Sequence, residues 1–353
     1  MEKGRFLVTG GAGFIGSALV WALNRRGHGD ILVTDFLEEG KRWKGQVPLS
    51  DRAEQKRLNL QGLRFSDCLE ADLFRARLAA APDAFGRFDA VFHMGACSST
   101  TESNEGFLAD NNFAYTKELA HWALAQGARF IYASSAATYG DGSAGMDDKS
   151  GDLQSLRPLN PYGASKQAFD LYAQREGLLE RIVGLKYFNV FGPNEDHKGE
   201  MRSVVHKAFG QIRETGKVRL FKSCRPDYKD GEQKRDFLYV KDAVEMTLHF
   251  AFGNPSAAGL FNIGSGEAHT WLELVGALFA AMGKEPAVEF IEMPEGLREK
   301  YQYFTRADIS KLRGAGYAKP VTPLAEAVRD YAQNYLAPGL RLSAGGSGEK
   351  GLQ

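Results

Sequence analysis

Tyr162 and Lys166 stand four residues apart in the run Tyr162-Gly163-Ala164-Ser165-Lys166, directly after Pro161. On a helix that spacing puts both side chains on one face. An ammonium beside a phenol favours the phenolate, and a phenol pulled down from its ordinary pKa of about 10 becomes a general base. Ser135 lies in Ser134-Ser135-Ala136-Ala137-Thr138-Tyr139-Gly140, just past an apolar run. Its hydroxyl could bond the same oxygen that Tyr162 deprotonates. Tyr-x-x-x-Lys by itself is common, and a solvated lysine after a helix-start tyrosine is the plain alternative. The pair gains meaning only beside a group that takes the electrons left when a hydroxyl loses its proton.

Such a group is signalled at the start of the chain, in Phe6-Leu7-Val8-Thr9-Gly10-Gly11-Ala12-Gly13-Phe14-Ile15-Gly16. An uncharged apolar run leads into spaced glycines and then into an apolar-periodic segment over 17–25, which reads as strand, tight turn and helix. Gly11, Gly13 and Gly16 satisfy the dinucleotide fingerprint; Gly10, Gly13 and Gly16 satisfy its variant with one more residue in the turn. Side chains here would keep a pyrophosphate from the helix N-terminus, where free N–H groups favour an anion. A second strand over 30–34 runs into Asp35 at roughly the 20-residue spacing that places an acid on the ribose. A carboxylate there suits the 2′-hydroxyl of NAD. Lys41 and Arg42 just beyond it, in a polar stretch over 36–64 that also holds Lys44, Arg52, Lys56 and Arg57, suit the 2′-phosphate of NADP. Both signals stand, and the positive nicotinamide of either would reinforce the pull on Tyr162.

The elements that must position these groups follow in order. A short third strand is expected at 65–67, a helix at 73–81, and a buried strand at 90–94 ending in Gly95-Ala96-Cys97-Ser98-Ser99. A long helix over 104–125, a strand at 129–134, a helix at 162–176 and a strand at 182–188 come next. This alternation predicts an α/β fold with a doubly wound parallel sheet of Rossmann type, its ligand at the carboxyl ends of the strands. Beyond residue 188 the alternation loosens into helices over 203–214, 240–252, 271–282 and 322–336, with strands at 218–221 and 288–291. The division is therefore a dinucleotide-binding domain over 1–188 and a smaller α/β substrate-binding region over 189–336 that can exchange elements with it. Residues 337–353 are Gly/Ser-rich and polar and read as a disordered tail.

The totals exclude other classes. Lys and Arg number 44 and so do Asp and Glu, so no charge balance argues for nucleic acid or a membrane surface. The longest apolar runs are strand-sized, too short for a bilayer. The charged residues 1–5 run straight into a strand, which leaves no signal peptide. Cys68, Cys97 and Cys224 are odd in number, far apart and in no metal-ligand spacing, which fits free thiols in a reducing cytoplasm and no metal.

The glycine turn, Ser135, Tyr162 and Lys166, in this order, resemble the extended short-chain dehydrogenase/reductase family of nucleotide-sugar enzymes, over residues 6 to about 336. Further stretches are more specific: Gly95-Ala96-Cys97-Ser98-Ser99-Thr100-Thr101-Glu102, Asp110-Asn111-Asn112, Phe188-Asn189-Val190-Phe191-Gly192-Pro193, His197-Lys198-Gly199, Lys234-Arg235-Asp236-Phe237 and Tyr301-Gln302-Tyr303-Phe304-Thr305. Together they resemble that family's ADP-L-glycero-D-manno-heptose 6-epimerases, which supply heptose for the lipopolysaccharide inner core. The resemblance implies tightly bound NADP, an ADP-heptose substrate, a homo-oligomer, and oxidation at C6 followed by return of the hydride to the other face. Inversion needs acid/base groups for two substrate poses, and the resemblance implies Tyr162 for one and Lys198 for the other. Ser135 then assists and Lys166 tunes Tyr162. Lys198 also stands out by its place in a loop rich in Gly, Pro and Asn after a strand end, where a solvated lysine is the alternative.

By the same resemblance, cofactor contacts carry to Phe14, Ile15, Asp35, Phe36, Arg42, Met94, Gly95, Ala96, Cys97, Ser98, Asn111, Lys166, Val190 and Lys198. Substrate contacts carry to Asn189, Phe221, Lys222, Ser223, Cys224, Arg235 and Tyr301. Arg235 suits a diphosphate because its fork is bidentate; a surface ion pair with Asp236 is its alternative. The chain departs from the pattern in places. Residues 44–64 are longer than expected, a lysine expected near Ala71 is missing, and 225–233 are inserted beside Arg235. Glu200 stands where a small hydroxyl residue is expected, and Lys207, with His206 beside it, where a histidine is expected. A UDP-sugar 4-epimerase is the first rival; a 4,6-dehydratase would carry an acidic pair where Ala136 and Ala137 stand. A nucleotide-binding protein without chemistry has no need of an activated phenol.

Overall fold

A computed structural model describes residues 4–37, 50–298 and 301–344. Lys41, Arg42 and Lys44, named above as candidate phosphate partners, lie outside the described residues.

The first half alternates as its apolar pattern requires. Strand β1 (Phe6–Thr9) feeds helix α1 (Phe14–Arg25), then β2 (Ile31–Asp35), α2 (Ser50–Asn59), β3 (Asp67–Glu70), α3 (Ala71–Ala80) and β4 (Ala90–His93). The expected long helix after β4 is interrupted: α4 (Glu105–Leu108) passes through a π-helical turn over Ala109–Ala114 into α5 (Tyr115–Ala125). Strand β5 (Arg129–Ser135), α6 (Pro161–Arg175) and β6 (Val183–Tyr187) follow. Strand β3 starts two residues later than the sequence suggested, and the polar excursion before it contains α2, a helix that composition alone does not signal.

The second half supplies β7 (Asn189–Phe191), α7 (Val204–Thr215), β8 (Val218–Phe221), β9 (Lys234–Arg235), β10 (Phe237–Tyr239), α8 (Val240–Leu248) and β11 (Gly259–Ile263). It ends with β12 (His269–Thr270), α9 (Trp271–Ala281), β13 (Val288–Ile291), α10 (Glu295–Arg298), α11 (Ser310–Gly314) and α12 (Leu324–Tyr331).

Seven strands form one parallel sheet in the order β11-β6-β5-β4-β1-β2-β3. Strands β1, β2, β4 and β6 are buried along their whole length, as continuous apolar runs covered on both faces must be. Alternate residues face opposite layers: Phe6 and Val8 pack with α1 and α8, whereas Leu7 packs with α3, α5 and α6. The last strand, β11, comes from beyond residue 188 and pairs with β6 from Gly259↔Val183 to Ile263↔Tyr187. Smaller two-stranded pairs, β7 with β10, β8 with β13 and β9 with β12, extend the second half.

Strand order reverses between β1 and β4, and a doubly wound sheet opens its ligand crevice at that point. Composition made everything after Ala337 a loose tail. In the structure Leu342 is buried, its N–H bonding Asn194 Oδ1 at 3.0 Å, and Arg341 Nε donates to Asn59 Oδ1 at 3.1 Å. No helix among the described residues is long and apolar enough to cross a membrane.

Candidate active site

The glycine turn sits at the head of the crevice. Gly10 has φ +65°, and a Cβ there would come within 2.7 Å of Gly95 Cα, so only glycine lets the turn after β1 lie against the loop after β4. A Cβ on Gly16 would meet the Gly10 carbonyl oxygen at 2.0 Å, which fixes helix α1 tightly under the turn. Gly11 does not line the crevice; its N–H bonds the Thr34 carbonyl at 3.2 Å and holds the turn on β2. Gly13 starts α1, and no side chain caps that helix and no acid stands in its first turn. An uncapped N-terminus above a glycine cradle is what a dinucleotide's pyrophosphate needs, so these residues fit such a cofactor.

A cavity of about 1000 Å³ opens from this turn. It is lined by Gly10, Gly13, Phe14, Ile15 and Gly16, by Asp35 and Phe36, by Met94 through Ser98, and by Asn111. Ser135, Tyr162 and Lys166 line it from the sheet and α6, and Asn189, Val190 and Lys198 from the second half. The structure therefore brings the candidate catalytic side chains and, apart from Gly11 and the undescribed Arg42, the candidate cofactor residues to one space.

Helix α6 starts where Asn160 Oδ1 accepts the Gly163 N–H at 2.8 Å, with Pro161 in the first turn. This cap aims Tyr162 and Lys166 at the carboxyl end of β5. Ser135 there caps a short 3₁₀ turn, its Oγ accepting the Ala137 N–H at 3.1 Å, and it is hydrogen-bonded to Tyr162. Burial pushes the Tyr162 phenol up to about 12, and the Ser135 hydrogen bond offsets only part of that. Burial also pushes Lys166 down to about 8, with Asp170 one turn on pulling back upward. The Lys166 ammonium donates to the Ala133 carbonyl at 2.7 Å. The sequence suggests a phenol drawn towards neutrality by Lys166. In the fold desolvation outweighs that pull.

Lys198 lies in the 3₁₀ stretch Asp196–Met201, with its ammonium 5.0 Å from the centre of the Phe14 ring. Burial and the nearby Lys207 lower its pKa, against Glu195. A lysine so held is a better proton donor and acceptor near neutrality than a solvated one.

The loop after β4 is held by residues that sequence reasoning did not single out. His93 Nδ1 meets Thr9 Oγ1 at 2.7 Å and Nε2 meets Thr116 Oγ1 at 2.9 Å. Thr9 Oγ1 also accepts the Gly95 N–H at 3.1 Å, and Thr116 donates to the Asn112 carbonyl at 2.7 Å. Thr116 spends its proton on Asn112 and so accepts from Nε2–H, while burial keeps the ring neutral and leaves Nδ1 to accept from the Thr9 hydroxyl. The Asn112 side chain clasps Cys97 through both N–H (2.8 Å) and C=O (3.1 Å) and donates to Ser165 Oγ at 2.9 Å. The π turn lets neighbours serve two sides: Asn111 lines the cavity, while Asn112 braces its wall against α6. The only advance signal was Asn112's place in Asp110-Asn111-Asn112.

The NAD dependent epimerase/dehydratase family model matches residues 6–264, spanning the glycine turn, the α6 pair and strand β11. The chain belongs to that family. Among the family's proteins, the ADP-L-glycero-D-manno-heptose-6-epimerase of Nitratidesulfovibrio vulgaris (strain DP4) is 51% identical over 332 residues, covering 94% of this chain and 98% of that one. The crystal structure of Helicobacter pylori ADP-L-glycero-D-manno-heptose-6-epimerase is 27% identical with a TM-score of 0.75, over 94% of this chain and 96% of that one. The Thermus thermophilus UDP-glucose 4-epimerase, in complex with NAD, is 28% identical with a TM-score of 0.70, over 95% of this chain and all of that one.

In this epimerase/dehydratase chain the candidate substrate residues divide. Asn189 lines the cavity and accepts from Thr305 Oγ1 at 3.3 Å. Arg235 is buried just behind the lining residues Trp271 and Gln302. Its guanidinium lies 5.1 Å from the Tyr301 ring centre and 5.7 Å from that of Trp271, and it donates to the carbonyls of Lys234 and Gln302. It is not paired with Asp236, whose carboxylate takes the backbone N–H groups of Ser265, Gly266 and Ala307 at 2.7, 3.0 and 2.9 Å. Among the described residues no carboxylate pairs with Arg235, which leaves its charge for an anion. Tyr301 accepts from Trp271 Nε1 at 2.9 Å.

The remaining candidates sit outside the cavity lining. Lys207 donates to the Glu200 carbonyl at 3.1 Å, and Glu200 is exposed. Phe221 ends β8, Lys222 pairs with Glu292 at 2.7 Å, and Ser223 N–H bonds Asp230 at 2.7 Å. Cys224 N–H bonds the Tyr303 hydroxyl at 2.9 Å. Among the described residues no cluster of side chains could hold a metal ion.

Proposed function

We propose that the protein inverts C6 of the heptose in ADP-D-glycero-β-D-manno-heptose, giving the L-glycero epimer for lipopolysaccharide inner-core heptose, with NADP held on the glycine turn. One observation above all supports this reading: Tyr162 and Lys198, from separate elements, line the same cavity as the glycine turn. Oxidation and reduction on opposite faces present the sugar in two poses, and two acid/base groups in one space can serve one pose each, where a 4-epimerase needs only one. The near-full-length likeness to the N. vulgaris epimerase supports the sugar.

When bound, the nicotinamide supplies a reversible hydride acceptor. The chain's own residues handle the proton. Tyr162, hydrogen-bonded to Ser135, takes it from the 6-hydroxyl in one pose and Lys198 serves the other. A phenol held up at about 12 becomes a base near neutrality only with positive charge beside it, and Lys166 and an oxidised nicotinamide together bring that charge. Arg235, with no carboxylate partner among the described residues, takes the diphosphate with its bidentate fork, its guanidinium held near the rings of Tyr301 and Trp271.

An NMR time course of the purified protein with ADP-D-glycero-β-D-manno-heptose and no added cofactor tests the reading. Conversion to the L-glycero epimer is expected. Tyr162→Phe and Lys198→Ala should each keep the fold and lose turnover by a factor on the order of 10² to 10⁴. An inert wild type in the presence of NADP⁺ or NAD⁺, with turnover of a UDP-sugar instead, would make it a 4-epimerase.

A further inference from the structure

The segment inserted ahead of β3 puts a cation on the nucleotide cavity. Lys56, on α2, has its ammonium 2.5 Å from Asp35 Oδ1 and 3.4 Å from the Phe36 carbonyl. The two side chains are only 13% and 5% exposed, and both line the cavity together with Thr34, Phe36 and Ala71. Asp35 is held from the backbone as well, Oδ2 accepting the Ala12 N–H at 3.0 Å and Oδ1 the Phe36 N–H at 2.7 Å. Helix α2 is anchored to the glycine turn itself: Asn59, at its end, donates to the carbonyls of Ala12 and Asn194, each at 3.0 Å.

A bare carboxylate at the end of β2 accepts from a ribose 2′-hydroxyl and repels a phosphate in the same place. Here the carboxylate is neutralised by a neighbour within salt-bridge distance. That neighbour is an ammonium with three donors, one on Asp35 and one at long reach on Phe36, so among the described residues a donor remains for a ligand oxygen. The charge comes from a helix fixed to the turn that would carry the pyrophosphate, so its position relative to the ribose is set by the fold.

We propose that Lys56 determines acceptance of a 2′-phosphorylated dinucleotide, sharing its ammonium between Asp35 and the phosphate. This rests on the dinucleotide reading above for the class of ligand and goes beyond it in naming the residue that selects the 2′ group.

The test uses the full chain with two readouts: the nucleotide released on denaturation, quantified as NADP against NAD, and calorimetric titration with each after the carried nucleotide is removed. Wild type and Lys56→Arg should favour NADP⁺. Lys56→Gln should weaken NADP⁺ by about tenfold or more while changing NAD⁺ affinity several-fold less, because only NADP⁺ loses a charge-assisted contact. The double variant Asp35→Asn/Lys56→Gln leaves no unpaired charge, so it carries the same comparison if the single variant does not fold. Its NADP⁺ preference should also be gone. An NADP⁺:NAD⁺ affinity ratio unchanged in both Gln variants overturns the role of Lys56 alone. A wild type that binds neither nucleotide overturns the dinucleotide reading and this one together.

Discussion

His93 shows how one neutral ring can hold a nucleotide site in shape. It is fully enclosed, and burial pushes its pKa down from 6.5 to about 3. Protonation would put a second N–H on Nδ1, where the Thr9 hydroxyl now donates while its oxygen serves Gly95. The unfolded chain takes up a proton near pH 6.5 that the folded chain refuses until about pH 3. Between those values the unfolded state binds more protons, so stability falls as pH drops through that window and is unaffected by this group above it. His197, also pushed down to about 3 by burial, acts with the same sign. Each such group contributes a slope of up to about 1.4 kcal/mol per pH unit. Urea unfolding followed between pH 6.5 and 4 should show that decline, and His93→Gln should make it shallower by one proton's worth. An identical slope in the variant would mean that His93 does not stay neutral in the fold. Nothing in Ala90-Val91-Phe92-His93 flags this role, because the two threonines that define it come from β1 and α5.

At the level of elements, the candidate catalytic groups are aligned by a buried ion pair that joins β5, α6 and β6. Lys186 Nζ lies 2.9 Å from Asp170 Oδ2 and 2.6 Å from Thr138 Oγ1, and both charged side chains are 1% exposed. Asp170 also accepts from Tyr132 OH at 2.8 Å and Ser134 Oγ at 2.7 Å. Asp170 stands one helical turn beyond Lys166, and Ser134 is next to Ser135, so the pair welds the strand that carries the serine to the helix that carries the tyrosine. Lys186→Met would leave the Asp170 charge buried without its partner and should cost about 3–5 kcal/mol. Lys186→Met/Asp170→Leu, which removes both charges, should recover most of that loss. Denaturant midpoints of the two variants check the pair, and equal losses in both would point to packing as the cause. The helix bearing Asp170 was expected over 162–176, directly after Pro161. The lysine was not, since Lys186 reads as an anomaly within an apolar strand until β6 is set beside β5.

On the scale of the whole molecule, the far end of the chain closes on its beginning. Asn194, with φ +78°, is a left-handed non-glycine, a conformation asparagine tolerates better than most residues. Its side chain donates to Ser17 Oγ on α1 at 3.0 Å and accepts from the Leu342 N–H at 3.0 Å, while Arg341 reaches Gln55 and Asn59 on α2. One polar cluster thus ties the glycine turn, the inserted helix, the loop leading to Lys198 and the chain's final described segment. Truncation after Leu340 removes Arg341 and the buried Leu342, whose side chain alone is worth about 1.5–3 kcal/mol. The shortened chain should unfold at lower temperature and bind the dinucleotide more weakly, by scanning calorimetry and by titration. An unchanged midpoint would show that the segment contributes nothing to closure.

The parts of this protein that the sequence determined by itself are those with local causes. Spaced glycines enforce a turn because the left-handed φ at Gly10 disfavours most side chains and a Cβ at Gly16 would run into the Gly10 carbonyl oxygen. Continuous apolar runs become the strands of a doubly covered sheet, and a tyrosine and lysine four apart share a helix face whatever surrounds them. What only the tertiary structure decided depends on residues distant along the chain. Helix α2 turns a polar excursion into a wall of the nucleotide cavity, β11 returns from the second half to complete the sheet, and Arg235 proves independent of the acid next to it. Charge and hydrogen-bond partners are chosen by proximity in the fold, and for Lys56, His93 and Lys186 that proximity is created by strand order and helix docking, which no local pattern encodes.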